Sequence, residues 1–69
     1  MTGETMEVTI YGKTYSIIAV DNEDGTFSPS ICEVAADGGC GRMIVDSETT
    51  DEAYETSREC LQRAMAHVI

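Results

Sequence analysis

YSIIAVDNEDG, residues 15–25, places a strand directly before a turn. Tyr15 to Val20 has apolar side chains at successive positions, so both faces of this strand are apolar and we expect it at the centre of a sheet. Asp21 to Gly25 consists of polar turn formers and gives the strongest hairpin signal in the chain. We therefore predict a fold that is built outward from this hairpin.

Three further segments have strand patterns. Met6 to Ile10 alternates apolar and polar residues, and Gly12 can supply the positive φ of a tight turn after it. Thr26 to Val34 resumes the strand pattern, but Pro29 cannot donate to a ladder, so this strand is expected at an edge or bulged at that point. Arg42 to Asp46 is a short fourth strand.

The remaining residues predict one helix. Thr49 followed by Glu52 forms a capping box, which marks the helix start. A stripe at helical spacing then faces the core, formed by Ala53, Ser57, Cys60, Leu61, Ala64, Met65 and Val68. The order β-β-β-β-α predicts a single α+β domain over residues 1–69, with a four-stranded antiparallel sheet and the C-terminal helix packed on one face.

The charge balance limits the partners. The 69 residues include 13 acidic and 4 basic side chains, for a net charge of -9. Nucleic acids and anionic membranes need basic surfaces, so both are excluded as partners. A basic protein, a metal cation or a second copy remains, and the charge also has the plain interpretation of keeping a small domain soluble. Without a signal-peptide pattern in residues 1–7 or an apolar run that spans a bilayer, we expect a cytoplasmic protein.

Cysteine and histidine positions do not predict catalysis or metal binding. Cys32, Cys40 and Cys60 lack the short paired spacings of structural zinc sites, and their odd number argues against a complete disulfide framework. We expect three reduced thiols in a cytosolic chain. His67 has no nucleophile or carboxylate partner at a telling spacing, so it is interpreted as a helix C-terminal residue.

Two loops resemble ligand-binding motifs without matching them. Residues 21–25 lack the twelve-residue ligand pattern of a calcium loop, and a turn is the better interpretation. Residues 38–41 lack the Lys, the Ser or Thr and the following helix of a phosphate-binding loop. The prediction is a non-enzymatic domain with no catalytic residues, metal or cofactor.

Acidic residues concentrate before and within the predicted helix, at Asp46, Glu48, Asp51, Glu55 and Glu59. Three of them, Asp51, Glu55 and Glu59, would stack at i, i+4 and i+8, which places like charges together. Such a cluster indicates a surface for a basic protein partner. A solvated outer helix face is the alternative.

Self-association is the second binding hypothesis. The helix shields one face of the sheet, so Ile18 and Val20 would face water unless covered. Pro29, at the expected edge, adds to this surface. A homodimer is therefore expected, and higher ionic strength should strengthen it because each chain carries the same net charge.

The stretch from Tyr15 to Phe27 resembles the HicB-like antitoxin family, in which an aromatic and apolar strand leads into an acidic turn. Gly39-Cys40, the Thr49–Ala53 helix start and Cys60-Leu61 are similar to further motifs of its N-terminal domain. The resemblance covers roughly residues 15–64. It implies a partly formed ribonuclease H-like fold that sequesters a small basic toxin. A self-associating structural domain without a toxin partner is the alternative function.

Overall fold

The computed structural model describes residues 4–69 and confirms the α+β architecture. Four antiparallel strands lie side by side in chain order, and one helix packs on the sheet. The strands are β1 (Thr5–Ile10), β2 (Lys13–Asp21), β3 (Phe27–Val34) and β4 (Cys40–Val45), followed by helix α1 (Ser57–Ala64) and a 3-10 turn at Met65–His67. Neither helix in this part of the chain is long and apolar enough to cross a membrane.

The β1–β2 hairpin closes through a two-residue turn. Ile10 pairs with Lys13, and the intervening Tyr11 and Gly12 have φ angles of 51° and 79°. Positive φ at both central positions is the type I′ geometry, whose twist matches that of the flanking strands. Gly12 was expected to supply this conformation. Tyr11, which is fully exposed, shares it despite its side chain.

The β2–β3 turn is held by its own carboxylates, which confirms the turn interpretation of residues 21–25. Asp21 Oδ1 accepts the Glu23 amide at 2.7 Å, and Asp24 Oδ1 accepts the Thr26 hydroxyl at 2.5 Å and the Thr26 amide at 2.9 Å. The hydroxyl and amide of Thr26 hold the pKa of Asp24 below its usual value, because hydrogen bonds to a carboxylate favour its charged form.

Pro29 lies at a local edge within β3. The pairing of β3 with β4 ends at Ile31 and Val45, and β3 is bridged again at Phe27 by Tyr54. Amides alternate in direction along a strand, and an amide at position 29 would point toward the β4 side. Pro29 lies between the two pairings on that side, so no hydrogen bond is lost there because proline lacks an amide. The prediction that this strand is an edge strand or is bulged at Pro29 is nevertheless wrong, because β3 lies between β2 and β4 and its register shifts fall at residues 31–34. Pro29 is also fully buried, so it does not contribute to an exposed self-association surface as predicted.

The core lies between α1 and the two central strands. Ile17 and Ala19 of β2 and Ile31 of β3 are fully buried on one face of the sheet. Against them pack the three buried residues of the helix, Cys60, Leu61 and Ala64. The predicted stripe is therefore confirmed at these helical positions.

The helix begins seven residues later than predicted. Thr56, not Thr49, is the N-cap, and its hydroxyl accepts the Glu59 amide at 3.1 Å. The amides of Thr49 and Thr50 bond instead to the carbonyl of Asp46. Thr49 and Glu52 match the capping box as well as Thr56 and Glu59 do, but the earlier segment is drawn away from helical geometry by its turn at Asp46 and by the pairing of Tyr54 with β3.

Replacing Leu61 with Ala is expected to lower the free energy of unfolding by about 2–5 kcal/mol, because it leaves a cavity between α1 and the sheet. Urea unfolding followed by circular dichroism measures this loss. The neighbouring exposed Gln62 is the control, and Gln62→Ala should change the stability by no more than about 0.5 kcal/mol. Equal stability of the two variants would contradict the packing of α1.

Candidate functional site

The five carboxylates predicted to bind a partner lie along the route from β4 to α1, and they do not form a helical stripe. Asp46, Glu48, Asp51 and Glu55 belong to the irregular segment before the helix, whereas Glu59 lies in the first turn of α1. The expected i, i+4 and i+8 stack is wrong because the helix starts at Ser57. We call residues 46–56 the acidic connection. It contains five acidic residues and no Lys or Arg.

Glu52 fixes the acidic connection to the rest of the molecule. Its Oε1 accepts the Tyr54 hydroxyl at 2.7 Å, and its Oε2 lies 2.5 Å from Nε2 of His67. Its carbonyl accepts the Ser28 hydroxyl at 2.8 Å. The hydrogen bond to Glu52 raises the pKa of Tyr54, since the donated proton is held by a carboxylate. Side chain and backbone thus tie this one residue to β3 and to the C-terminal turn.

The sequence interpretation of His67 missed this carboxylate partner. Glu52 and His67 are fifteen residues apart, a spacing that signals nothing by itself. They meet because the acidic connection returns along β3, where Phe27 and Tyr54 exchange two backbone hydrogen bonds of 2.7 and 2.8 Å. No local pattern predicts a contact that depends on this long-range pairing.

Three carboxylates of the acidic connection are exposed and have no cationic side chain paired with them among residues 4–69. They belong to Glu48, Asp51 and Glu55. Glu59, by comparison, approaches Arg63 at 4.0 Å. The three free charges sit on a segment whose backbone is pinned at Asp46, Glu52 and Tyr54.

The prediction of three free thiols is wrong, because Cys32 and Cys40 form a disulfide. A tight turn at residues 35–39 and two irregularities in the β3–β4 register bring their Cα atoms to 5.7 Å, inside the range that a disulfide requires. The spacing rules for zinc ligands concern residues close in sequence, so they could not predict a disulfide between neighbouring strands. Within residues 4–69, no three His, Cys, Asp or Glu side chains are arranged to hold a metal ion.

Cys60 is the free cysteine, and it is fully buried in the core. Burial, with a smaller contribution from the charge of Glu52, raises the pKa of this thiol to about 11. A thiol in this environment is protonated at neutral pH and inaccessible, so it is a poor nucleophile.

The sheet face opposite α1 has its own shallow depression of about 330 Å³. Ile18 and Val20 lie on this open face, as the alternation of β2 predicts, and both are half-buried. Met43 and Val34 add apolar surface beside the disulfide. Pro29 lies on the other face, in line with the buried Ala19, and is not part of this surface.

Comparison of the chain with family models, with curated proteins and with solved structures found no match. The resemblance to HicB-like antitoxins therefore stays a prediction. Its first segment, residues 15–27, falls on β2 and the following turn, and Gly39-Cys40 falls at the start of β4. Thr49–Ala53, which the resemblance places at a helix start, lies in the acidic connection.

Replacing Glu52 with Ala is expected to lower the free energy of unfolding by about 1–2 kcal/mol, because Tyr54 and His67 lose their shared acceptor. Glu52→Gln keeps one acceptor oxygen and should lose less. Glu55→Ala, an exposed residue of the same segment, is the control and should stay within about 0.5 kcal/mol of the parent. Thermal unfolding of the three variants ranks them, and equal losses for Glu52→Ala and Glu55→Ala would contradict the pinning role.

Reduction of the disulfide is expected to cost about 2–3 kcal/mol of stability, the chain-entropy value for so short a loop. The free energy of unfolding, measured with and without reductant, gives this cost. The Cys32→Ser/Cys40→Ser variant is the control, and reductant should not change its stability. Alkylation in denaturant should modify one cysteine before reduction and three afterwards. Three modified cysteines in the unreduced, air-oxidised protein would contradict the pairing.

Proposed function

We propose that this chain is a non-catalytic protein-binding domain whose acidic connection binds a basic surface of a partner protein. The observation that carries the proposal is the set of three exposed, unpaired carboxylates on one pinned segment, Glu48, Asp51 and Glu55. Charges of one sign that are left without internal partners attract an oppositely charged surface and steer its approach.

The fixed backbone of the acidic connection favours binding over mere solubility. Ordering a flexible loop on association costs free energy, and a segment that is already held in place avoids much of this cost. Glu52 provides the hold through Ser28, Tyr54 and His67.

The resemblance to HicB-like antitoxins supports the same chemistry and suggests a small basic toxin as the partner. That suggestion goes further than the geometry, which favours a cationic protein surface in general. The state of Cys60 supports a non-catalytic role, because this free thiol is buried and its pKa is raised to about 11. The exposed His67–Glu52 pair therefore has no reactive cysteine for which it could act as a catalytic base.

A cytoplasmic location belongs to the proposal and sets a condition on the disulfide. Cytoplasmic reductants keep protein thiols reduced, so Cys32 and Cys40 would be paired in the oxidised protein and open in the cell. Rapid alkylation inside intact cells should then modify both residues. Protection of both residues from the reagent would argue for an oxidising compartment instead.

The binding test compares two triple variants that raise the net charge equally. Glu48→Gln/Asp51→Asn/Glu55→Gln neutralises the acidic connection, and Asp21→Asn/Glu23→Gln/Asp37→Asn neutralises three acids outside it, where each Asn keeps the side-chain oxygen that accepts a turn hydrogen bond. Proteins that co-purify with the tagged parent chain from its native cell are identified by mass spectrometry. We expect a basic protein that the control variant retains and the acidic-connection variant loses by about tenfold or more, since each close charge pair contributes to binding.

Equal retention by both triple variants would show that binding follows net charge and not the acidic connection. Retention of a partner without excess positive charge would contradict the electrostatic basis of the proposal. Binding to the isolated recombinant partner at low and high salt completes the test. The affinity should fall as salt rises, because salt screens exposed charges.

Self-association through the open sheet face is a second candidate, which the positions of Ile18 and Val20 favour. We expect a homodimer at micromolar concentration that strengthens with ionic strength, because salt screens the repulsion between chains of net charge -9. Sedimentation at two salt concentrations measures this effect. Ile18→Ser/Val20→Ser should abolish the dimer, and Ala66→Ser, an exposed position after α1, should leave it intact. A monomer at every concentration and salt would reject this candidate.

A further inference from the structure

The outer edge of β1 presents backbone groups that no described residue pairs. The carbonyl of Glu4 accepts the amide of Ala19 at 2.8 Å, which makes these two residues a hydrogen-bonded pair. Such pairs alternate along an antiparallel ladder, so Met6–Ile17 and Val8–Tyr15 are hydrogen-bonded pairs as well. The intervening residues direct their amides and carbonyls away from β2, and these residues are Thr5, Glu7 and Thr9.

A groove runs beside this edge on the helix face. Met6 and Val8 of β1 and Leu61 and Met65 give it an apolar lining, to which Glu4, Arg58 and Gln62 add polar groups. The groove has a volume of about 610 Å³. It lies where α1, which packs chiefly on β2 and β3, covers β1 only in part. A strand added to β1 would direct alternate side chains into the groove.

We propose that β1 and this groove bind an extended segment of another protein as a fifth strand, with apolar side chains in the groove and a Lys or Arg opposite Glu7. Backbone pairing at an exposed edge gives affinity, and pockets for alternate side chains give specificity. Glu7 faces the open side of the sheet and is exposed, so a cation at the facing position of the added strand meets its carboxylate. The residues of this surface are not those of the acidic connection, so the inference goes beyond the proposed function and does not depend on it.

The charges on β1 argue against a second copy as the added strand. An antiparallel pair of β1 strands that engages all three outward-facing residues places Glu7 directly opposite its counterpart. Like charges in directly opposed positions destabilise a sheet. Any shifted register separates these carboxylates but leaves outward-facing groups unpaired at both ends. A foreign segment with a cation at that position meets neither cost.

The probe is the blocked pentapeptide Thr-Val-Lys-Val-Thr, which places Lys opposite Glu7 and the two Val side chains over the groove when it pairs antiparallel to β1. Titration of the isotope-labelled full chain, followed by amide NMR, should shift the signals of Thr5, Glu7 and Thr9 most. The peptide Thr-Val-Glu-Val-Thr should bind at least about fivefold more weakly, since it opposes two carboxylates.

Two chain variants separate the backbone contribution from the charge. Both Glu7→Pro and Glu7→Thr remove the carboxylate, but Glu7→Pro also removes an amide that points away from β2. We expect Glu7→Pro to bind the peptide about tenfold more weakly than Glu7→Thr does, the loss associated with a hydrogen bond at an edge. Equal binding by the two variants, both shown to be folded by circular dichroism, would overturn strand addition.

Methylated peptides provide the same test without changing the chain. A methyl group on the Lys amide, which points at β1, should abolish binding, whereas one on the amide of the second Val should have little effect. Shifts centred on residues 46–56 would overturn the proposal, because they indicate charge attraction alone. If the chain alone formed a dimer and Glu7→Pro abolished that dimer, the added strand would come from a second copy, which would contradict the proposal of a foreign segment. The acidic-connection variant should bind the peptide as the parent chain does. A failure of the proposed function would therefore leave this inference standing, and the reverse is also true.

Discussion

The packing of one eight-residue helix on the two central strands determines which surfaces this domain exposes. A helix with its side chains is about 10 Å across, whereas four strands span about 15 Å between the outer strand axes. The contact of α1 with Ile17 and Ile31 therefore closes the core over β2 and β3. It leaves the whole opposite face of the sheet open and a groove above β1.

The acidic connection is a consequence of the same geometry. The chain leaves the sheet at the end of β4 and must return to a position above β2 before α1 can pack. Eleven residues span this distance, and their pairing with β3 through Tyr54 satisfies part of their backbone. The turn around Asp46 and the contacts of Glu52 hold the remainder. Carboxylates beside these anchor points are consequently held outward with little internal neutralisation.

The sequence predicts the strands and the helical core positions well because these follow from local alternation and from helical spacing. Local patterns could not predict the Glu52–His67 contact or the Cys32–Cys40 disulfide. In each case the two residues are brought together by strand pairing between distant parts of the chain. The helix start shows the limit most clearly. Two Thr-x-x-Glu patterns stand seven residues apart, and a distant partner, Phe27, decides between them by pairing with Tyr54. The basic partner stays a prediction from charge composition, whereas the positions of the unpaired carboxylates follow only from the fold.

The two proposed binding surfaces would bind through different interactions, so their affinities should respond differently to salt. At physiological salt the Debye length is about 8 Å, so the exposed charges of the acidic connection act mainly on groups close to them. Association at the acidic connection is then governed by charge and ionic strength. At β1, backbone hydrogen bonds and the apolar groove of Met6, Val8, Leu61 and Met65 dominate. A partner that met both surfaces would gain orientation from one and register from the other, which a single charged patch does not provide.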